Sequence, residues 1–148
     1  MKNLILFLFL TVSSVSAFAQ FPLGADSHTI KAYFAENVPY ALVQDYKTEN
    51  GAKAICFTKV RVLGDYNFYF DNNDKCTSYV VTYDKNELYD LVDRFNGKFC
   101  KVRSTKWVSE DSSYEVTLVP SKGGENFFSI VYKPMPLSEL LSLTLASN

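Results

Sequence analysis

The sequence predicts a two-layer α+β domain, a roughly seven-stranded antiparallel sheet with two helices packed on one of its faces. Three observations carry that expectation. Aromatic and β-branched residues alternate over short runs bounded by Asn, Asp and Gly, the pattern of strands joined by tight turns. Two stretches instead repeat at helical spacing behind an Asp or Ser that can cap them. Their order is the third, since a helix followed by three or four strands occurs twice, with the cap residues Ser27 and Asp84 in equivalent places.

The stretch from Asp65 to Gly97 organises the rest. Tyr66, Phe68 and Phe70 fall on one face of a strand because side chains alternate along it. Asp71-Asn72-Asn73-Asp74 is turn chemistry, since short Asx side chains bond nearby backbone and tolerate left-handed dihedrals. Cys76 to Tyr83 returns as a strand rich in Thr, Tyr and Val. Asp84 is the expected N-cap of the next helix, with Glu87 placed for a capping box and Tyr83 and Leu88 for a hydrophobic staple. Leu88, Leu91, Val92 and Phe95 form an i, i+3, i+4, i+7 stripe, and Gly97 is the expected C-cap. Burying that stripe contributes roughly 6–12 kcal/mol, at ~1.5–3 for each side chain.

The remaining elements follow in order. Met1 to Ala19 reads as a cleaved leader: Lys2, an apolar run from Leu4 to Val12, and the small-x-small site Ala17-Phe18-Ala19. That run is too short to span a bilayer, so the product is expected to be exported, periplasmic or secreted, with no membrane span after cleavage. Residues 20–136 then form a single domain. Asp26 or Ser27 caps a helix carrying Ile30, Tyr33 and Phe34, which ends by Asn37 because Pro39 forbids continuation. Strands over 40–47 and 52–60 flank the Asn50-Gly51 pair that types a tight hairpin. After the second helix a long strand is expected over 98–108, ending in the turn at Glu110-Asp111-Ser112-Ser113, then strands over 114–119 and 126–133 joined by a loop over 120–124. Residues 137–148 are a tail, a short helix or disordered.

Charge and motif content exclude several function classes. Fifteen basic against sixteen acidic side chains offer no global field for nucleic acid, and removing the leader takes away one more cation. His28 is the only imidazole, and it lies in the first turn of the first helix with no local motif to pair it with Cys56, Cys76 or Cys100. The turn at Asp71 fails as an EF-hand loop, since Lys75, Cys76 and Thr82 stand where a ligand, glycine and glutamate are needed. No cofactor or phosphate-binding motif is present, and the spacing of Cys56, Cys76 and Cys100 matches no zinc pattern. An odd number of cysteines outside the cytoplasm means a free thiol or a bond to another chain, and three buried thiols is the expected state.

Counting by two from Phe99 places Lys101, Arg103 and Trp107 on one face, with Cys100, Val102 and Val108 on the face expected to meet the helices. Tyr69 and Phe127 join the first set by the same parity. Arg and Trp dominate binding hot spots, so this basic and aromatic strip is the candidate site on the sheet face away from the helices. The competing reading has Trp107 covered and the cations merely keeping the sheet soluble. This element order over about residues 27–133 resembles the beta-lactamase inhibitor protein-like small exported domains, without their paired disulfides. The resemblance implies protein binding on the concave sheet face. The functional expectation is a non-enzymatic exported binding module. Alternatives are a small thiol hydrolase using Cys100 or Cys56, and a structural subunit that buries the same face in a homodimer.

Overall fold

The computed structural model describes residues 22–37, 41–59, 64–120, 126–136 and 138. The expected leader over 1–19 lies outside them, as does the tail over 137–148 apart from Ser138. Helix α1 (Ser27–Asn37) precedes β1 (Ala41–Lys47), β2 (Lys53–Lys59), β3 (Asp65–Phe70) and β4 (Cys76–Asp84). A 3-10 turn (Lys85–Glu87) leads into α2 (Leu88–Lys98), followed by β5 (Cys100–Arg103), β6 (Lys106–Val108), β7 (Tyr114–Pro120) and β8 (Phe127–Pro134). The strands form one antiparallel sheet in the order β1-β2-β3-β4-β8-β7-β6-β5. Each helix is followed by four strands, so the architectural repeat is present. The last strands of the two units pair with each other, which relates the units by an approximate two-fold rotation through the sheet between β4 and β8.

The strand count is eight rather than roughly seven because the run over 98–108 is a hairpin, not one strand. It reverses at Ser104 and Thr105, so that Lys101 faces Trp107 and Arg103 faces Lys106, with a register shift at Val102. No proline or glycine marks this turn, and nothing in the composition announces it.

Capping explains both helix starts. Asp26 Oδ1 accepts the Thr29 N–H at 2.8 Å, which makes Asp26 the N-cap of α1. Ile30 and Phe34 are buried against β2 and β3, whereas Tyr33, expected beside them, is 45% exposed. Asp84 Oδ1 accepts the Asn86 N–H at 2.9 Å, but it caps the 3-10 turn, and Glu87 makes no side-chain capping bond. The expected capping box is therefore not formed. Nor is Gly97 a C-cap: α2 continues through it to Lys98, and the Phe99 N–H closes the helix on the Phe95 carbonyl at 2.8 Å. Leu91 and Phe95 are buried and Leu88 and Val92 half-buried against the sheet, as the stripe requires.

The first unit is closed by a long-range tie. Asp71 Oδ1 accepts the N–H groups of Asn73 (2.9 Å) and Lys75 (2.8 Å), shaping the β3–β4 turn and placing Asp74 in the left-handed region at φ 59°. Asp74 Oδ2 then accepts the hydroxyl of Ser27 at 2.7 Å, and Lys53 Nζ donates to Asp74 Oδ1 (2.7 Å) and to Ser27 Oγ (2.6 Å). A carboxylate from a turn thus serves the first residue of a helix 47 positions away. Asp74→Ala is expected to lower stability by about 1–3 kcal/mol, since it removes these bonds and puts Ala at positive φ. Asp74→Asn, which tolerates that φ, is expected to lose only about 0.5–1 kcal/mol. Urea unfolding at neutral pH checks both; equal losses would mean that the charged tie, not the backbone conformation, accounts for the cost.

Candidate functional site

Both helices pack on one side of the sheet. Ile30 and Phe34 of α1 cluster with Ile55, Phe57, Phe68 and Phe70, and Leu91 and Phe95 of α2 with Trp107, Val116, Phe128 and Ile130. The opposite face is built from the alternate residues. Cross-strand register lines up Gln44, Cys56, Asn67, Val80, Val131, Thr117 and Lys106 in one row over seven strands. Beside it run Tyr46, Ala54, Tyr69 and Ser78 on one flank, and Thr82, Ser129 and Val119 on the other. Val80 and Val131 make a half-buried apolar centre, ringed by hydroxyl, amide and phenol groups. Tyr46 Oη donates to Asn67 Oδ1 at 3.2 Å, and Thr82 and Ser129 hydroxyls lie 3.4 Å apart. Burial and the adjacent Tyr69 push the Tyr46 phenol up, so it stays a neutral donor.

One corner of this face carries a buried carboxylate. Glu115, 2% exposed, stands between Val108 on β6 and Lys133 on β8. Lys133 Nζ reaches its Oε1 at 2.8 Å and Lys106 Nζ its Oε2 at 2.6 Å. The second contact is an ion pair by distance whose angle is poor for a hydrogen bond, which leaves Oε2 incompletely satisfied. Burial by itself raises the Glu115 carboxyl, but the two ammonium groups outweigh it and hold the group below its ordinary value. The lysine stems cover the acid while Lys133 keeps its head half in water.

The residues expected to form one strip are divided between locations. Trp107 is fully buried on the helix side, its ring edge-on to Phe95 at 5.4 Å and its indole N–H donated to Asn96 Oδ1 at 2.9 Å. Phe99 lies on the same side, edge-on to Phe95 and Tyr114. Lys101, opposite Trp107, is exposed because β5 is the sheet's edge, and Arg103 is exposed at the hairpin end. Tyr69 and Phe127 fall on the row's face, half-buried, and so does Arg103, which the register shift at Val102 brings opposite Lys106. Ser78 and Asp84, the partners of Tyr69 and Phe127, stand at opposite ends of β4, which separates the two rings by roughly 20 Å. For Phe99, Lys101 and Trp107 the expected side is therefore inverted: the indole, bonded to Asn96, packs under a helix. Glu115, Lys106, Lys133, Val80 and Val131 escaped the sequence reading, because alternation gives the face of each but not which strands adjoin.

Two other clusters resemble catalytic groupings. Ser27 and Lys53 have the separation of a Ser–Lys dyad, but the serine is buried and its hydroxyl proton is already bonded to Asp74. Cys56, on the row, and Cys76, in the core, are pushed up by burial, Cys76 to about 12. His28 is exposed on α1, across the sheet from Cys56. All three cysteines are free thiols, and Cys100 is exposed and Cys56 half-buried, so the expectation of three buried thiols holds only for Cys76. Among the described residues no group of His, Cys, Asp and Glu is arranged to hold a metal ion, and no helix is long and apolar enough to cross a membrane.

The fold and this surface define a class, a two-layer α+β domain with one helix-backed face and one half-exposed face. Comparison with family models, curated proteins and solved structures returns no match.

Two measurements test these arrangements. Asn96→Ala strands a buried indole donor and is expected to cost about 1–3 kcal/mol, with the emission of the single Trp shifting red. For Glu115 the folded carboxyl titrates below its unfolded counterpart, so its contribution is complete above the ordinary value of 4.5 and is lost as pH falls through the folded one. The melting temperature of the wild type should therefore drop more steeply below about pH 5 than that of Glu115→Gln. Parallel curves for the two proteins would remove the ion pair from the account.

Proposed function

We propose that this chain is an exported, non-enzymatic binding module that takes a protein partner on the sheet face away from its helices. The observation that carries the reading is that α1 and α2 bury their stripes on the same side. No described helix covers Val80, Val131 and their surround. An apolar centre with a rim of Tyr, Thr, Ser and Asn has the anatomy of a protein interface. Its dimensions favour a protein over a small ligand. Seven strands span roughly 29 Å and six residues along a strand roughly 20 Å, a projected area of roughly 580 Å², on the order of the ~800 Å² that each partner buries in an ordinary complex.

The leader-like residues 1–19 support export. The resemblance to beta-lactamase inhibitor protein-like domains, drawn from element order, supports a protein partner on this same face. A thiol hydrolase gains no support from Cys56 or Cys76, since burial moves both away from the thiolate that a nucleophile needs.

Affinity capture with the secreted chain, followed by titration of the captured partner, tests the reading. Val131→Lys with Thr117→Lys should weaken binding at least about tenfold, the scale of a hot-spot loss. Tyr89→Ala on the exposed side of α2 should leave it unchanged. Retention of full affinity by the doubly substituted, folded chain sinks the proposal. So does sedimentation that finds a homodimer dissociated by the same pair of substitutions.

A further inference from the structure

A cleft of about 480 Å³ opens where the end of α2 meets the β6–β7 turn, remote from the Val80–Val131 centre and not required by the function proposed above. Its walls include the rings of Phe99 and Tyr114, set edge to face with centroids 6.1 Å apart. Its rim carries Glu110, which is exposed, and Asp111. Asp111 Oδ1 collects the hydroxyls of Ser109 (2.6 Å) and Ser113 (2.7 Å) and the Ser113 N–H (3.1 Å). Those bonds fix the carboxylate in place, and all of them fall on one oxygen, leaving Oδ2 out of the turn's own bonding. The last carbonyls of α2 add partial negative charge at the same end. A cation already stands there: Lys98 Nζ lies 5.4 Å from the centre of the Phe99 ring.

Aromatic wall, fixed carboxylate, second carboxylate and helix C-terminus all select for positive charge. We propose that this cleft binds a guanidinium group, its plane on Phe99 and its N–H fork on Glu110 and Asp111, with Lys98 swinging out as the occupant it replaces. A guanidinium suits the site better than an ammonium because it is planar, weakly hydrated and forked to match carboxylate oxygens. The group can arrive on a small guanidino compound or on an arginine side chain of a peptide. Gly97 keeps the helix edge of the cleft low, and a Cβ added there meets nothing within 4 Å.

Amide chemical-shift titration of the folded chain separates these cases. The probes are arginine methyl ester, the tripeptide Gly-Arg-Gly, and citrulline methyl ester as the uncharged isostere. The two arginine probes are expected to shift amides confined to residues 97–99 and 109–114, and the citrulline ester to leave them in place. Tighter binding of the ester identifies a small-molecule source, and tighter binding of the tripeptide a peptide source. Lys98→Gln frees the ring and removes a like charge, so affinity should rise roughly two- to fivefold. Glu110→Gln should lower it by a similar factor, and Gly97→Leu should block it, with Gly97→Ala as the folding control. The proposal is overturned by equal shifts from the citrulline ester, by shifts outside those two segments, by the absence of any shift, or by unaltered affinity in both Lys98→Gln and Glu110→Gln. None of these results bears on the sheet-face reading.

Discussion

Tyr79 and Tyr132 face each other across β4 and β8 with ring centroids 4.3 Å apart and 4° between their planes. Through them the core under α1 meets the core under α2. Tyr79 also stacks on Phe68, and Tyr132 lies edge-on to Phe95, so aromatic contact runs unbroken from Phe34 to Trp107. A four-stranded unit with one helix has little interior of its own, and small units are marginal. Joining two of them about a central strand pair makes one interior from two halves. Burial pushes both phenols up, and the stack stays neutral over the whole physiological range.

That junction also decides where function can lie. Because the stack lies on the helix side, both helices sit on that side, and the opposite face is left to the alternate residues. Around its valine centre these carry hydroxyl, amide or phenol tips, and they tolerate half-burial. The charged corner follows the same logic. Glu115 would be costly alone, but two lysines from neighbouring strands neutralise it and lay their stems over it. The two ends of the domain are fastened differently. At one, Asp74 of the β3–β4 turn holds the first residue of α1; at the other, the β6–β7 turn folds its carboxylate inward on two serines and leaves a cleft beside the helix end.

Where a strand was unbroken, alternation in the sequence placed its residues correctly. Tyr66, Phe68 and Phe70 share the helix side, and Asn50-Gly51 forms its turn with Gly51 at φ +78°. Between Lys98 and Val108 the parity of Phe99, Lys101 and Trp107 also survived, but their side was misjudged. Flanking cations suggested solvent, whereas Lys101 is solvated because it sits on an edge strand and Trp107 is shielded beneath α2. The turn at Ser104 and Thr105 left no Gly, Pro, Asn or Asp to signal it. Gly97 gave a helix-stop signal that the chain does not use, because Phe99 can close the helix without a left-handed residue.

The sequence alone determined the two helices, most of the strands, their antiparallel character and the α+β class, because each rests on periodicity and turn chemistry within about ten residues. Tertiary structure decided which face the helices cover, which strands adjoin, and hence the Glu115 corner, the Val80–Val131 centre and the cleft beside Gly97. Those depend on register between segments far apart in the chain. Period-two alternation says that two residues share a side, and only packing against a helix says which side that is.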